Sequence, residues 1–134
     1  MTVIVRDDGF HAEDFTGDFL PLDALDGPSP AVDVPSDTAT ADLVPLLSAG
    51  FVRIDFPAFS DGRGFTLGRE LRRLGFSGRL RAKGHVIADQ YAMVRRSGFD
   101  EVEIASELAA RQPEDQWLAR ADWREHDYQR RLRG

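Results

Sequence analysis

The chain contains no cysteine, which excludes disulfides, thiolate zinc sites, cysteine-held iron–sulfur clusters and a cysteine nucleophile. No apolar run approaches the ~20 residues of a membrane span, and the N-terminus lacks a signal-peptide pattern. A cytoplasmic protein without membrane contact is the expectation. His11, His85 and His126 are the only histidines; they have no metal-ligand spacing, and the acidic residues form no calcium loop. Neither a metal site nor a resident cofactor is expected. Lysine is nearly absent too: sixteen of the seventeen basic residues are arginine, and Lys83 is the one lysine. An arginine preference can signal bidentate anion recognition, but spread over a whole chain it reads as genomic base composition.

What is present is ordinary in bulk and uneven in detail. The 134 residues suit one domain, with 42% hydrophobic and 30% charged residues. The net charge of −6 divides sharply. Residues 1–50 hold ten acidic groups against Arg6 alone, residues 51–98 ten basic against four acidic, and residues 99–134 nine acidic against six basic. A basic island thus sits in an acidic chain. Its aromatics look like core and the overall charge repels a polyanion, so nucleic acid is not expected as a partner.

Three of the chain's five Gly-Phe pairs, Gly50-Phe51, Gly75-Phe76 and Gly98-Phe99, recur 25 and 23 residues apart. Each follows a segment of helical apolar spacing and precedes a short strand-like run, as a glycine cap would. The pattern predicts strands at 31–34, 51–56, 79–83 and 101–104, with helices at 38–49, 64–74 and 86–97 between them. The fold class is therefore α/β: repeated βα units with a mainly parallel four-stranded sheet, half-barrel-like or open. Residues 1–30 read as an N-terminal β segment and loop. Within them 3–5 and 19–22 form two short strands around Asp7-Asp8-Gly9. Residues 31–111 make the βα core and 112–134 a C-terminal helix, helical from 114 to 133 and frayed from Gln129. Trp117, Ala121 and either Trp123 or Tyr128 are its expected packing residues.

The strands alternate. Val52, Ile54 and Phe56 are interleaved with Arg53 and Asp55, Leu80 and Ala82 with Arg79, Arg81 and Lys83, and Val102 and Ile104 with Glu101 and Glu103. One face of the sheet is therefore charged, and burying it unpaired would cost several kcal/mol per group. Two accounts follow: a half-barrel whose charged side is wet or closed by a second copy, giving a homodimer, or a flat sheet covered by the N-terminal segment or the tail helix.

Ligands of parallel sheets gather at the carboxyl ends of strands. The richest such loop is 57–64, which delivers Arg63 to a helix N-terminus beside Asp61 and Gly62. Arg63 and Arg81 are the anion-binding candidates, and Asp61 could equally just cap the helix. Gly62, Gly64 and Gly68 mimic an NADP fingerprint, but five residues separate Phe56 from Gly62, too many for that turn. His85 lies at a strand end with Asp89 four residues on, a weak candidate pair for acid–base catalysis. No serine elbow accompanies it.

The run Phe56-Pro57-Ala58-Phe59-Ser60-Asp61-Gly62-Arg63-Gly64-Phe65-Thr66, then Leu71-Arg72, 78–84, Asp89-Gln90 and Gly98-Phe99-Asp100, resembles the bacterial domain of unknown function 934 family. The likeness spans about 31–104 and is densest from 56 to 100. Genes of that family typically lie beside those for assimilatory sulfite reductase, and its members are often labelled oxidoreductases of sulfite reduction. The resemblance implies an accessory protein of assimilatory sulfite reduction, acting on a small oxyanion or through sulfite reductase or its electron donor. It marks Asp61, Gly62, Arg63, Arg81, Gly84, Asp89 and Gln90 as functional or structure-fixing. Arg79 and Gly68 depart from the family pattern, where glutamate and alanine are usual. The alternative is a small α/β enzyme doing acid–base chemistry on a phosphorylated or carboxylated substrate. Whether the chain is an enzyme is left open by these residues.

Overall fold

The computed structural model describes residues 1–124. The chain runs through β1 (Thr2–Arg6), β2 (Gly9–His11), β3 (Leu20–Pro21), β4 (Ala31–Val34), β5 (Phe51–Phe56), α1 (Arg63–Arg73), β6 (Arg79–Gly84), α2 (Tyr91–Arg96), β7 (Glu101–Ala105), α3 (Ser106–Arg111) and α4 (Glu114–Leu118). Short 3-10 turns occupy Leu22–Ala24, Thr40–Asp42, Val44–Ser48 and Ala88–Gln90.

The sheet is larger and more mixed than the mainly parallel, four-stranded sheet that the pattern predicts. It has seven strands in the order β2-β1-β7-β6-β5-β4-β3. Strands β3 to β7 are parallel, while β1 is antiparallel to both β7 and β2. The four expected strands form the middle; the three added ones come from residues 1–30. Residues 19–22 do not pair with 3–5. The hairpin instead closes on Gly9–His11, with Gly9 at φ +122°, and Leu20–Pro21 joins β4 at the opposite edge. Pairing between residues a hundred positions apart, such as Val3 with Ile104, leaves no local trace in sequence.

The expected helix 38–49 is two 3-10 turns. Pro45 stands in the first turn of the second one, where it removes a backbone donor and blocks an α-helical continuation from the preceding residues. Leu43 and Leu46, three apart, still bury fully, as the 3-10 period allows. The expected helix 86–97 likewise starts late, because Ile87 is extended (φ −99°, ψ 161°) ahead of the Ala88–Gln90 turn. Two of the three Gly-Phe junctions are left-handed caps: Gly75 and Gly98 have φ +105° and +103°. There the Phe76 and Phe99 amides reach back to the Leu71 and Val94 carbonyls. Gly50 follows an extended Ala49 instead.

Helices α1 and α2 pack on the face formed by Val52, Ile54, Leu80, Ala82 and Val102, which are fully buried. Gly64 and Gly68 let α1 approach the sheet, since a Cβ there would overlap the Phe56 and Phe99 rings. These glycines serve packing. Trp117 of α4 is buried edge-on to Tyr91. The rest of the expected tail helix from residue 125, with His126, Tyr128 and its end, lies outside the described residues.

The charged face is crossed by residues 12–19, a strap running from β2 at one edge to β3 at the other. Phe15 and Phe19 stack on Phe51 at centroid distances of 5.1 and 4.9 Å, and Glu13 and Asp14 reach down to the sheet arginines. Of the two accounts of this face, the covering N-terminal segment is the one found. None of the described helices is long and apolar enough to cross a membrane.

Candidate functional site

Under the strap lies a chain of ion pairs. Arg81 is fully buried. Its Nε donates to Glu101 (2.5 Å), its Nη1 to Glu103 and Glu13 (both 2.8 Å) and its Nη2 to Glu13 (2.8 Å). Arg53 grips Asp33 with two donors and Glu103 with a third. Arg79 holds Glu101 and Asp14, and Arg6 holds the same two carboxylates. Burial opposes the charged form of Arg81, but its hydrogen bonds to Glu13 and the charge of Glu101 outweigh it and raise its pKa. Its donors are engaged by carboxylates, so its place in the molecule is that of a cross-link between strap and sheet.

Arg63 stands elsewhere, at the first position of α1. Asp61 accepts its backbone N–H (3.1 Å) and its guanidinium (2.7 Å), while Nη2 also donates to Ser36 (3.1 Å). The Arg63 side chain holds the Asp61 pKa down to about 2. Asp61, one residue before the N-cap Gly62, therefore satisfies the first N–H of the helix and orients Arg63 at once. Arg63 borders a shallow hollow of about 250 Å³ with Thr38, Thr40 and Thr66. The two arginines do not converge on one point.

The end of β6 is built differently. Gly84 has φ +121°, and a Cβ on it would lie 2.6 Å from the Phe56 carbonyl oxygen. That close approach lets the His85 amide bond the same oxygen at 2.8 Å. Gln90 ties the loop 57–62 to the start of α2: its Nε2 donates to the Phe59 carbonyl (2.9 Å) and its Oε1 accepts the Ile87 N–H (3.0 Å). Gly62 is a helix-capping position with open space around it. His85 is exposed, edge-on to Phe59 at 5.3 Å. Asp89 bonds Arg120 (2.8 Å) rather than His85. The expected acid–base pair is thus not assembled.

Beside His85, a cavity of about 320 Å³ opens at the carboxyl ends of β6 and β7, bordered by Phe59, Lys83, His85, Glu103, Glu107 and Arg111. Lys83 is the notable member. Arg53, Arg79, Arg81, Glu101 and Glu103 of the middle strands are paired, whereas Lys83, two residues beyond Arg81 on the same face, and the exposed Asp55 opposite it have no hydrogen bond or ion pair among the described residues. Its register neighbours are Asp55 and Glu103. Glu103 turns to Arg53 and Arg81 instead. Lys83, Phe59 and Arg111 were not site candidates from sequence. The available signal was the presence of a single lysine in an arginine chain. Among the described residues no cluster of three His, Asp or Glu side chains is arranged to hold a metal ion.

A family model described as bacterial protein of unknown function (DUF934) matches residues 31–134. The chain belongs to this family. No curated protein and no solved structure matches it. The DUF934 match begins at the first residue of β4, so it contains Asp61, Arg63, Lys83, Gly84, His85 and the sheet arginines from Arg53 onward. Strands β1 to β3 and the strap with Glu13 and Asp14 precede it.

Proposed function

We propose that the chain is an accessory protein of assimilatory sulfite reduction that holds a small oxyanion at the carboxyl ends of β6 and β7. The observation that carries the site is Lys83, a partly buried cation that forms no ion pair among the described residues, bordering a 320 Å³ cavity that also has Arg111 and His85 on its wall. Of the two carboxylates on the wall, Glu103 is neutralised by Arg53 and Arg81, and Glu107 is set against the two cations Lys83 and Arg111, so positive charge is in excess. An anion entering the cavity would gain charge-assisted hydrogen bonds from Lys83 and Arg111 while keeping one side against Phe59 and Leu108. Sulfite as the anion, and sulfite reductase or its electron donor as the partner, rest on the family resemblance of the 56–100 segment. In this reading Arg81, Asp61, Gly84 and Gln90 fix the scaffold, and Arg63 is a second anion-facing group at a separate hollow.

Ligand-induced stabilisation tests the site. At sulfite a hundredfold above its Kd, the melting temperature should rise on the order of 10 °C. Lys83→Ala should abolish the rise, and Arg63→Ala should leave most of it. If sulfite, sulfate and phosphate all fail to shift the wild type, or if Lys83→Ala shifts as much as wild type, the site is wrong. A strain lacking the gene that grows normally on sulfate as sole sulfur source would remove the pathway.

A further inference from the structure

The acidity of residues 1–50 is only half used by the fold. From Arg6 to Arg53 the chain has no lysine or arginine. Asp7, Asp8, Glu13, Asp14 and Asp33 find partners in Arg95, His11, Arg81, Arg79 and Arg53. Asp18, Asp23, Asp26 and Asp42 have no side-chain partner among the described residues, and the cation near Asp37 is Arg63, already engaged with Asp61. The unpaired negative charge therefore collects near the β3–β4 edge.

At that edge lies a groove of about 980 Å³ between the 21–28 and 35–48 segments. Four of the chain's seven prolines, Pro21, Pro28, Pro35 and Pro45, form its walls, and Asp23, Asp37 and Asp42 are its charged members. Among the described residues no basic side chain borders it. Proline has no N–H, and carboxylates accept only, so the walls present acceptors and apolar surface with few donors. Such a surface selects an occupant that brings donors and positive charge together with apolar groups. Backbone strand addition is not the mode, since β3 is two residues long and one of them is Pro21.

We propose that this groove docks an extended basic segment of a partner protein, in which arginine or lysine flanks an apolar side chain. Positive side chains would meet Asp23, Asp37 and Asp42, and the apolar one would lie between the prolines. The site stands on charge complementarity and shape, independently of Lys83, so the two proposals fail separately.

Panning a random-peptide library displayed on phage against the full chain tests it, with affinities of the enriched peptide measured by fluorescence anisotropy. The enriched sequences should carry arginine or lysine beside an apolar residue, and binding should weaken strongly as salt is raised. The double variant Asp23→Asn/Asp42→Asn should bind about fivefold to tenfold more weakly. Ala41→Trp, which fills the groove from an exposed position, should abolish binding. No enrichment, enrichment of peptides without basic residues, or unchanged affinity in Ala41→Trp would each overturn the proposal. A wild-type dimer in sedimentation that Ala41→Trp dissociates would overturn it as well, by giving the groove to a second copy.

Discussion

Arg81 shows how one residue can satisfy a sequence motif and still do something else. Its guanidinium cross-links Glu13 to Glu101 and Glu103 with no solvent contact. Arg81→Met should therefore destabilise the fold by about 3 kcal/mol, the lower end for breaking a buried ion network, because Glu101 keeps Arg79 and Glu103 keeps Arg53. Urea unfolding at neutral pH measures this. A loss under about 1 kcal/mol would mean that the carboxylates re-pair freely and that Arg81 is not structural. The same variant should retain the sulfite-induced shift that Lys83→Ala loses. The alternation along β6 placed Arg81 on the charged face correctly. Its role was not legible, because Glu13 is 68 residues distant and lies in a segment with no periodicity.

Among the elements, the strap is the part that responds to pH. The hydrogen bond from Arg79 holds the Asp14 pKa down to about 2, and that from Arg81 lowers Glu13. Depressed carboxyl pKa values mean that these contacts contribute fully above the unfolded values near 4 and are lost as pH falls toward about 2. In that window the strap should lift, uncovering Phe15, Phe19 and Phe51 while the helix-covered face stays packed. Nuclear magnetic resonance should then show the Phe15 and Phe19 ring protons losing their shifts from stacking on Phe51 at acid pH before the amides of β5 and β6 lose exchange protection. Simultaneous opening of strap and core would contradict it. Glu13→Gln/Asp14→Asn should reproduce the loosening at neutral pH. Strap and 3-10 turns were the illegible elements for one reason: they are specified by partners across the sheet and by single prolines such as Pro45. The α1 and β5–β7 elements, by contrast, carry their own periodicity and appear where the spacing puts them.

At the scale of the molecule, the family match and the folding unit do not coincide. The match starts at residue 31, yet β1 supplies the strand beside β7, and Ile4 and Val5 are fully buried. Val5 belongs to the main core, while Ile4, opposite Glu103 in register, shields the ion network at its β7 end. Burying two such side chains stabilises the fold on the order of 3–6 kcal/mol, a large share of a typical domain's net stability of about 5–15 kcal/mol. Removing residues 1–30 also deletes the strap, leaving Arg81, Glu101 and Glu103 on an open face and Phe51 without its two aromatic partners. A fragment of residues 31–134 should therefore lack a cooperative urea transition and near-ultraviolet dichroism, although its four central strands are intact in sequence. Adding residues 1–30 as a separate peptide should restore both signals, since β1 docks by antiparallel pairing and the strap by side-chain contacts, neither of which needs the connecting backbone. A fragment that unfolds cooperatively within about 1 kcal/mol of the full chain would show that the matched region is self-sufficient. The first thirty residues would then be an addition to the family's fold rather than a part of it.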